Sequence, residues 1–413
     1  MPAHTRCRIC ETTLPAPFLD LGEMALANAF LASPAEFAQE PRYPLAVAGC
    51  PGCGLVQLTQ VVPAEQLYRH YVYVSSTSEA VRRYAQELAA RIVGRFRLTP
   101  SQRVVELGSN DGLVLLAVQR LGVQVLGVEP ARNIAAVARA NGVPTVDEFF
   151  TAATAGRLAA AEGRASVILG RHVFAHIDDL HDFFAGIDAL LAPDGALLIE
   201  VPYLGTLIEQ LEFDTIYHEH LSYLALGPMT AICRRHGFDV ADVEPVALHG
   251  GSVLFTVQRA GPSLAVSPRV EAMRRKEQAL RVSDPATLRA FAQRVAAWKQ
   301  GFESCVERLV DQGARLAGYG AAAKANTLLN YCPGVARRLT CLLDRSPHKQ
   351  GRLTPGAHLP VVDPDRWEAD GTSHLLILAW NFKDEIMRQM RPFAERGGRF
   401  VIPIPTPEVV SVG

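Results

Sequence analysis

Residues 103–118 read RVVELGSNDGLVLLAV. A β-rich run meets a turn holding Gly108 and Gly112, and an apolar run then opens a helix. That order brings a ligand against backbone amides at a helix N-terminus, as in doubly wound sheets. Asn110 stands where many such loops carry a second glycine, and asparagine tolerates a left-handed backbone better than most residues. The next strand ends in GVEP, so Glu129 is placed to accept hydrogen bonds from both hydroxyls of a ribose, with Pro130 beside it. A glycine turn with a distal acid also suits NAD. Glu106, inside the turn motif E-L-G-S-N-D-G with Asp111, separates the two: an anion there suits the ammonium end of S-adenosylmethionine (SAM) and would repel a pyrophosphate.

Outward from this stretch, QVLGVEP, SVILG and ALLIEVPY repeat the strand signal, separated by alanine-rich helical stretches such as ARNIAAVARANG. Such alternation predicts a parallel α/β sheet. VADVEPVALHGGSVLFTVQR reads as two strands joined by a Gly-Gly turn, an antiparallel pair at the sheet edge. Pro268 to Gln312 reads as an amphipathic helical bridge. A second alternating unit follows in RLAGYG, AAAKANTLLNY, TCLLDRSP, HLPVVD, HLLILAWN and RFVIPIP.

Before the first sheet lies a stretch rich in Pro and Gly, read as a small loop-rich module. It holds two CxxC pairs, Cys7/Cys10 and Cys50/Cys53, the second within CPGCG. Four thiolates complete a tetrahedral Zn²⁺ shell with no position left for water, so the metal is expected to be structural. The long interval 11–49 between the pairs is tolerable because loop-closure cost grows slowly with length. The remaining cysteines, Cys233, Cys305, Cys332 and Cys341, are scattered singly and read as packing residues.

Polar groups for chemistry cluster in three segments. GRHVFAHIDDL follows the fourth strand, at the carboxyl edge where open sheets bind ligands, and contributes His176 for chemistry, with Gly170 and His172 as candidate cofactor contacts. FDTIYHEHLSY follows the fifth strand and packs Tyr217, His218, Glu219 and His220 together. YVYVSSTSE, joining the cysteine module to the sheet, adds Tyr71 and Tyr73, with Ser75 and Ser76 as candidate substrate contacts. The H-E-H spacing is not the zincin H-E-x-x-H. It reads instead as a histidine base tuned by a neighbouring carboxylate, with tyrosines to hold a developing enolate. In the second unit, GYGAAAK before a helix, with Asp344 ending the next strand, has the form of a dinucleotide fingerprint. The same helix start serves any diphosphate, with Tyr319, Lys324, Asn326 and Lys349 as candidate contacts.

Charge is balanced at −1, so no global field favours nucleic acid or an anionic membrane. No apolar run approaches the roughly 20 residues of a membrane span, and MPAHTRCRIC lacks a signal-peptide core, so a cytoplasmic location is expected.

CRIC…CPGCG, YVYVSSTSE, ELGSNDG, VFAHIDDL, YHEHLSY, HGGS and GYGAAAKANTLLN, in this order along nearly the whole chain, resemble the sugar C-3 methyltransferase family of deoxysugar biosynthesis, typified by the D-tetronitrose precursor C-3 methyltransferase. The resemblance implies a zinc-bearing module over 1–75, a SAM-binding domain over 76–265, and a Rossmann-like domain over 266–413 that helps hold a nucleotide-linked keto-deoxysugar, usually carried on thymidine diphosphate. It places the active-site groups on Tyr71, His176, Tyr217, Glu219 and His220, with His220 the base. ILGRH departs from the Asn-containing segment expected of relatives, which leaves the roles of Arg171 and His172 open. The competing readings are an NAD-dependent nucleotide-sugar oxidoreductase and a zinc-ribbon module that binds nucleic acid. Glu106 argues against the first, and the balanced charge against the second.

Overall fold

A computed structural model describes residues 4–411 except 70, 72–73, 248–249 and 263, so Tyr73 and His249 of the motifs above lie outside the described residues. Three sheets carry the fold. The N-terminal region is not merely loops. Leu19–Ala25 (β1), Arg42–Gly49 (β2) and Val56–Leu58 (β3) form an antiparallel sheet, and Ser222–Tyr223 (β9), from far along the chain, pairs with β3 as the fourth strand. The Pro and Gly signals mark the turns between strands. What hid β1 is its bulge between Asp20 and Glu23, with Gly22 at φ 85, which breaks the two-residue alternation of buried side chains.

The central sheet holds Arg103–Leu107 (β4), Gln124–Val128 (β5), Thr145–Val146 (β6), Ala165–Arg171 (β7), Leu191–Pro202 (β8), Phe238–Val246 (β10) and Ser252–Arg259 (β11). Its order is β10-β11-β8-β7-β4-β5-β6. The five strands from β8 to β6 run parallel, and β10 and β11 form the expected antiparallel pair at one edge, with Gly250 and Gly251 both at positive φ in their connection. From β4 the chain winds outward through β5 and β6, then returns to place β7 on the other side of β4. Between β4 and β7 lies the switch point, where helix connections diverge to opposite faces and leave a crevice at the carboxyl ends.

The third sheet, Leu316–Tyr319 (β12), Leu339–Leu343 (β13), Val361–Val362 (β14), His374–Ile377 (β15), Arg399–Ile402 (β16) and Glu408–Val410 (β17), has the order β14-β13-β12-β15-β16-β17 and is parallel except for β17. The helical bridge is two helices, Pro268–Leu280 and Pro285–Asp311, each with proline in its first turn and capped by Ser267 or Asp284. The first packs on β10, and its Val270 joins the apolar core of the central sheet, so that helix goes with the central domain rather than the third. The second joins Leu19, Val47 and Leu316 in one continuous apolar cluster, which ties the N-terminal sheet to the third.

Candidate functional site

The turn after β4 is built on left-handed backbone: Gly108 has φ 61, Asn110 φ 50 and Gly112 φ 78. A Cβ on Gly112 would fall 2.9 Å from Val143 and on Gly108 3.1 Å from Val173, so space as well as φ selects glycine there. Glu129, beyond β5, accepts from the backbone N–H of Asn110 at 2.8 Å through Oε2 and of Ala131 at 2.9 Å through Oε1. Each oxygen keeps a second lone pair for a hydroxyl. Burial pushes the Glu129 carboxyl up, and these two amides oppose it. Ser75 and Ser76 cover the turn through their backbones, their N–H groups meeting Asn110 Oδ1 at 2.9 Å and Asp111 Oδ2 at 3.1 Å.

Around this turn Glu106 Oε2, Asp111 Oδ1 and Ser109 Oγ are buried without a hydrogen-bond partner among the described residues. Orphaned carboxylate oxygens beside open left-handed backbone are what a cation-bearing nucleoside such as SAM requires, so the residues fit the group. Gly170, the last residue but one of β7, packs against Val173, and Pro130 follows Glu129. His172 sits at φ 54 with Nε2 3.1 Å from Glu200 Oε1.

The YHEH segment is a turn closed by His220 N–H donating to Tyr217 O at 2.9 Å. Closure places the first and last side chains side by side: the Tyr217 hydroxyl lies 2.8 Å from His220 Nε2, and the rings are 4.1 Å apart. His220 Nδ1 lies 2.8 Å from the Thr215 carbonyl. A carbonyl only accepts, so Nδ1 carries the hydrogen and Nε2 holds the lone pair. Burial, with the nearby His176, holds His220 well below the usual imidazole range, so it is neutral. His176 is pushed down to about 3 by burial. It stacks between Tyr68 at 5.3 Å and His220 at 5.2 Å, its Nε2 buried without a partner among the described residues.

The corner residues of the turn diverge. His218 Nε2 turns away to the carbonyls of Tyr43 and Pro44 at 3.2 and 3.3 Å. Glu219 takes the Tyr71 hydroxyl at 2.7 Å and Asn28 Nδ2 at 2.7 Å, and burial raises it to about 7 against those two donors. The expectation that this carboxylate tunes His220 is therefore corrected. Neighbours at a turn corner face different ways, and the group that orients the imidazole is the Thr215 carbonyl.

The thiolates of Cys7, Cys10, Cys50 and Cys53 all lie within 4.8 Å of one another, with Cys7 to Cys53 at 3.5 Å and Cys10 to Cys50 at 3.4 Å. Zinc–sulfur bonds of about 2.3 Å in a tetrahedron separate sulfurs by about 3.8 Å, so the cluster fits Zn²⁺. Backbone N–H groups of Ile9 and Gly52 donate to Cys7 and Cys50 Sγ.

In the third sheet the predicted substrate contacts face inward. Asp344 accepts from Ala321 N at 2.7 Å and Ser346 N at 2.8 Å, and Lys349 Nζ donates to Ala321 O at 2.8 Å. Asn326, fully buried, donates to Ala27 O at 2.7 Å, and the Tyr319 hydroxyl donates to Gln389 at 3.3 Å. Lys324 Nζ lies 4.6 Å from the Trp380 ring centroid, and its charge acts on Glu212, Asp214 and His220. The structure thus joins Tyr71, His176, Tyr217, Glu219 and His220 in one cluster. Tyr319, Asn326 and Lys349 take their contacts within the C-terminal domain or along its seam with the N-terminal sheet.

Residues 7–68 match the family described as "Putative zinc binding domain", 79–243 a methyltransferase domain, and 247–405 a C-methyltransferase C-terminal domain. C-methyltransferase NovU of Streptomyces niveus is 36% identical over 405 residues, 98% of this chain and 96% of its own length. The chain belongs to the C-methyltransferases. SAM is the cofactor of its central domain, and the oxidoreductase reading of GYGAAAK is set aside. A ubiquinone biosynthesis O-methyltransferase of Rhizobium etli is 31% identical over 124 residues, 28% of this chain and 49% of its own. Magnesium protoporphyrin IX methyltransferase of Synechocystis PCC 6803, solved with bound SAM, aligns with TM-score 0.33 and 15% identity over 43% of this chain and 79% of its own. Among the described residues no helix is long and apolar enough to cross a membrane.

Asn28, Tyr68 and the Thr215 carbonyl were not readable as site groups. Each acts through a contact distant in sequence or through the backbone, and no local pattern marks either.

Proposed function

We propose that this C-methyltransferase adds a methyl group to ring carbon 3 of a nucleotide-linked 4-keto-deoxysugar, with His220 generating an enolate. The observation that carries the reading is the fixed tautomer of His220: a neutral, buried imidazole with Nδ1–H on the Thr215 carbonyl and its lone pair on Nε2 beside the Tyr217 hydroxyl. Bound SAM supplies an electrophilic methyl group. A ring carbon becomes nucleophilic only after losing its proton, and a neighbouring ketone makes that loss accessible by delocalising charge onto oxygen. His220 Nε2 accepts the proton, and Tyr217 or His176 donates to the enolate oxygen. His176 suits donation because burial keeps it a neutral imidazole. Glu129 holds the ribose of the cofactor, and Glu106 accepts its ammonium group. The homology of the whole chain to NovU supports the C-methylation half of this reading.

Incubation with a thymidine-diphosphate 4-keto-deoxysugar in deuterated water tests it. Wild type should exchange the hydrogen on ring carbon 3, and His220→Asn should not, with kcat reduced about 10²–10⁴-fold. Exchange at the wild-type rate in that variant would move the base elsewhere, first to His176.

A further inference from the structure

At the crevice between β4 and β7, Glu106 belongs to a buried ion network in which Arg171 has so far no role. Arg171, the last residue of β7, donates through Nε to Glu106 Oε1 at 3.2 Å, and their side chains are 10% and 1% exposed. On its other flank lies Glu200 of β8, fully buried. Glu200 is well supplied: His172 Nε2 is at 3.1 Å and the Tyr84 hydroxyl at 2.7 Å, and these with Arg171 hold it down at about 2. Among the described residues Glu106 has only the arginine. Its second oxygen, Oε2, is buried with no partner among the described residues, and Asp111 and Glu129 face it with further negative charge.

We infer that Arg171 is a positioning residue for the cofactor: it keeps Glu106 a carboxylate with Oε2 open, ready for the ammonium group at the amino-acid end of SAM. This rests on the assignment of Glu106 to that ammonium. A buried carboxylate without a counter-ion takes up a proton rather than keep its charge. Even beside Arg171, burial lifts Glu106 to about 7, with Asp111 and Glu129 adding to the rise. Without the guanidinium, Glu106 is a neutral acid at neutral pH, and the ammonium loses its ionic partner. The rival account has the opposite sign. SAM carries a sulfonium as well as an ammonium, so an arginine acting only as nearby positive charge would weaken binding, and its removal would tighten it.

Calorimetry at pH 7.0 on wild type, Glu106→Gln, Arg171→Met and the double variant decides between them, with SAM, S-adenosylhomocysteine and methylthioadenosine as probes. Methylthioadenosine lacks the amino-acid end. Glu106→Gln and Arg171→Met should each weaken SAM and S-adenosylhomocysteine about tenfold and leave methylthioadenosine within twofold. The double variant should bind no worse than either single one, because both remove the same carboxylate. Tighter SAM binding in Arg171→Met, additive losses in the double variant, or an equal loss for methylthioadenosine overturns the role of Arg171. Unchanged SAM affinity in Glu106→Gln instead overturns the assignment beneath it. Wild type carries the test without any substitution: SAM affinity should rise severalfold from pH 6.0 to 7.5 as Glu106 ionises, while methylthioadenosine stays flat. The ligand's own α-amino group, with an ordinary pKa of about 7.7–8.0, remains mostly charged over that range. A flat SAM profile overturns the proposal.

Discussion

Two glycine turns in this chain follow the first strand of a parallel sheet, and each has an acid at the end of the next strand. They are ELGSNDG with Glu129 and YGAAAK with Asp344. In both, the acid folds back to accept backbone N–H groups. They part company in what surrounds the acid. The first turn is left with unpartnered buried oxygens on Glu106 and Asp111 among the described residues, an excess of negative charge awaiting a cation. The second is neutralised from within: Lys349 lies 3.7 Å from Asp344 and caps the Ala321 carbonyl, and Asn326 on the following helix reaches the N-terminal module. The same signature leaves open acceptors in one place and closes on internal contacts in the other. What distinguishes them is where the neighbouring charges are satisfied, which the spacing of glycines and acids does not encode.

The first turn depends most on the cysteine module, whose trailing chain roofs it through Ser75 and Ser76. Elemental analysis should find one zinc per chain. Its removal by chelation should abolish methyl transfer, since structural zinc contributes about 10–16 kcal/mol to so small a unit. A metal-free protein with full activity would show that the roof is dispensable. Next in size, Glu129→Ala should weaken SAM at least tenfold, because hydrogen bonds to a charged acceptor are worth about 1.5–3 kcal/mol. Asp344→Ala should leave SAM affinity within twofold and lower the thermal midpoint. Equal losses of SAM affinity in the two variants would erase the distinction between the turns.

The smallest expected effect is a pH dependence of stability. Burial raises Glu106 and Glu219 to about 7 and Glu212 to about 8, so the folded chain holds protons there that the unfolded chain has released. Stability then falls as pH rises. Below about 6.5 the buried histidines, lowered on folding, push the other way. Above it they are neutral in both states, and the apo protein's Tm should fall by a few degrees between pH 6.5 and 8.5. Glu106→Gln should flatten part of that slope, and SAM should flatten it too, because it favours the ionised form and so stabilises the fold more at higher pH.

Much of this was legible in the sequence because the signals were local. The strand and glycine turn of 103–118, the Gly-Gly connection between β10 and β11, and the two CxxC pairs each express a short-range rule. The left-handed Asn110 follows from the same logic. Illegible were contacts that only folding creates. A two-residue strand such as β9 has no periodicity to read, and one of the two partners of the Glu219 carboxyl is Asn28, a residue of another module. Lys349 and Asn326 stand in a stretch suited to a diphosphate, and no local pattern foretells that they meet the Ala321 and Ala27 carbonyls.

The pairing of β9 with β3 means that the YHEH turn and the cysteine module share one strand ladder, although the chain separates them by the whole first half of the central domain. Fragments divided near residue 70 would each carry half of that ladder, with an open strand edge on either side. The two pieces are thus natural candidates for complementation. Co-expressed halves would recover activity only on reassembling the ladder, which makes methyl transfer a reporter of whether two chains have met.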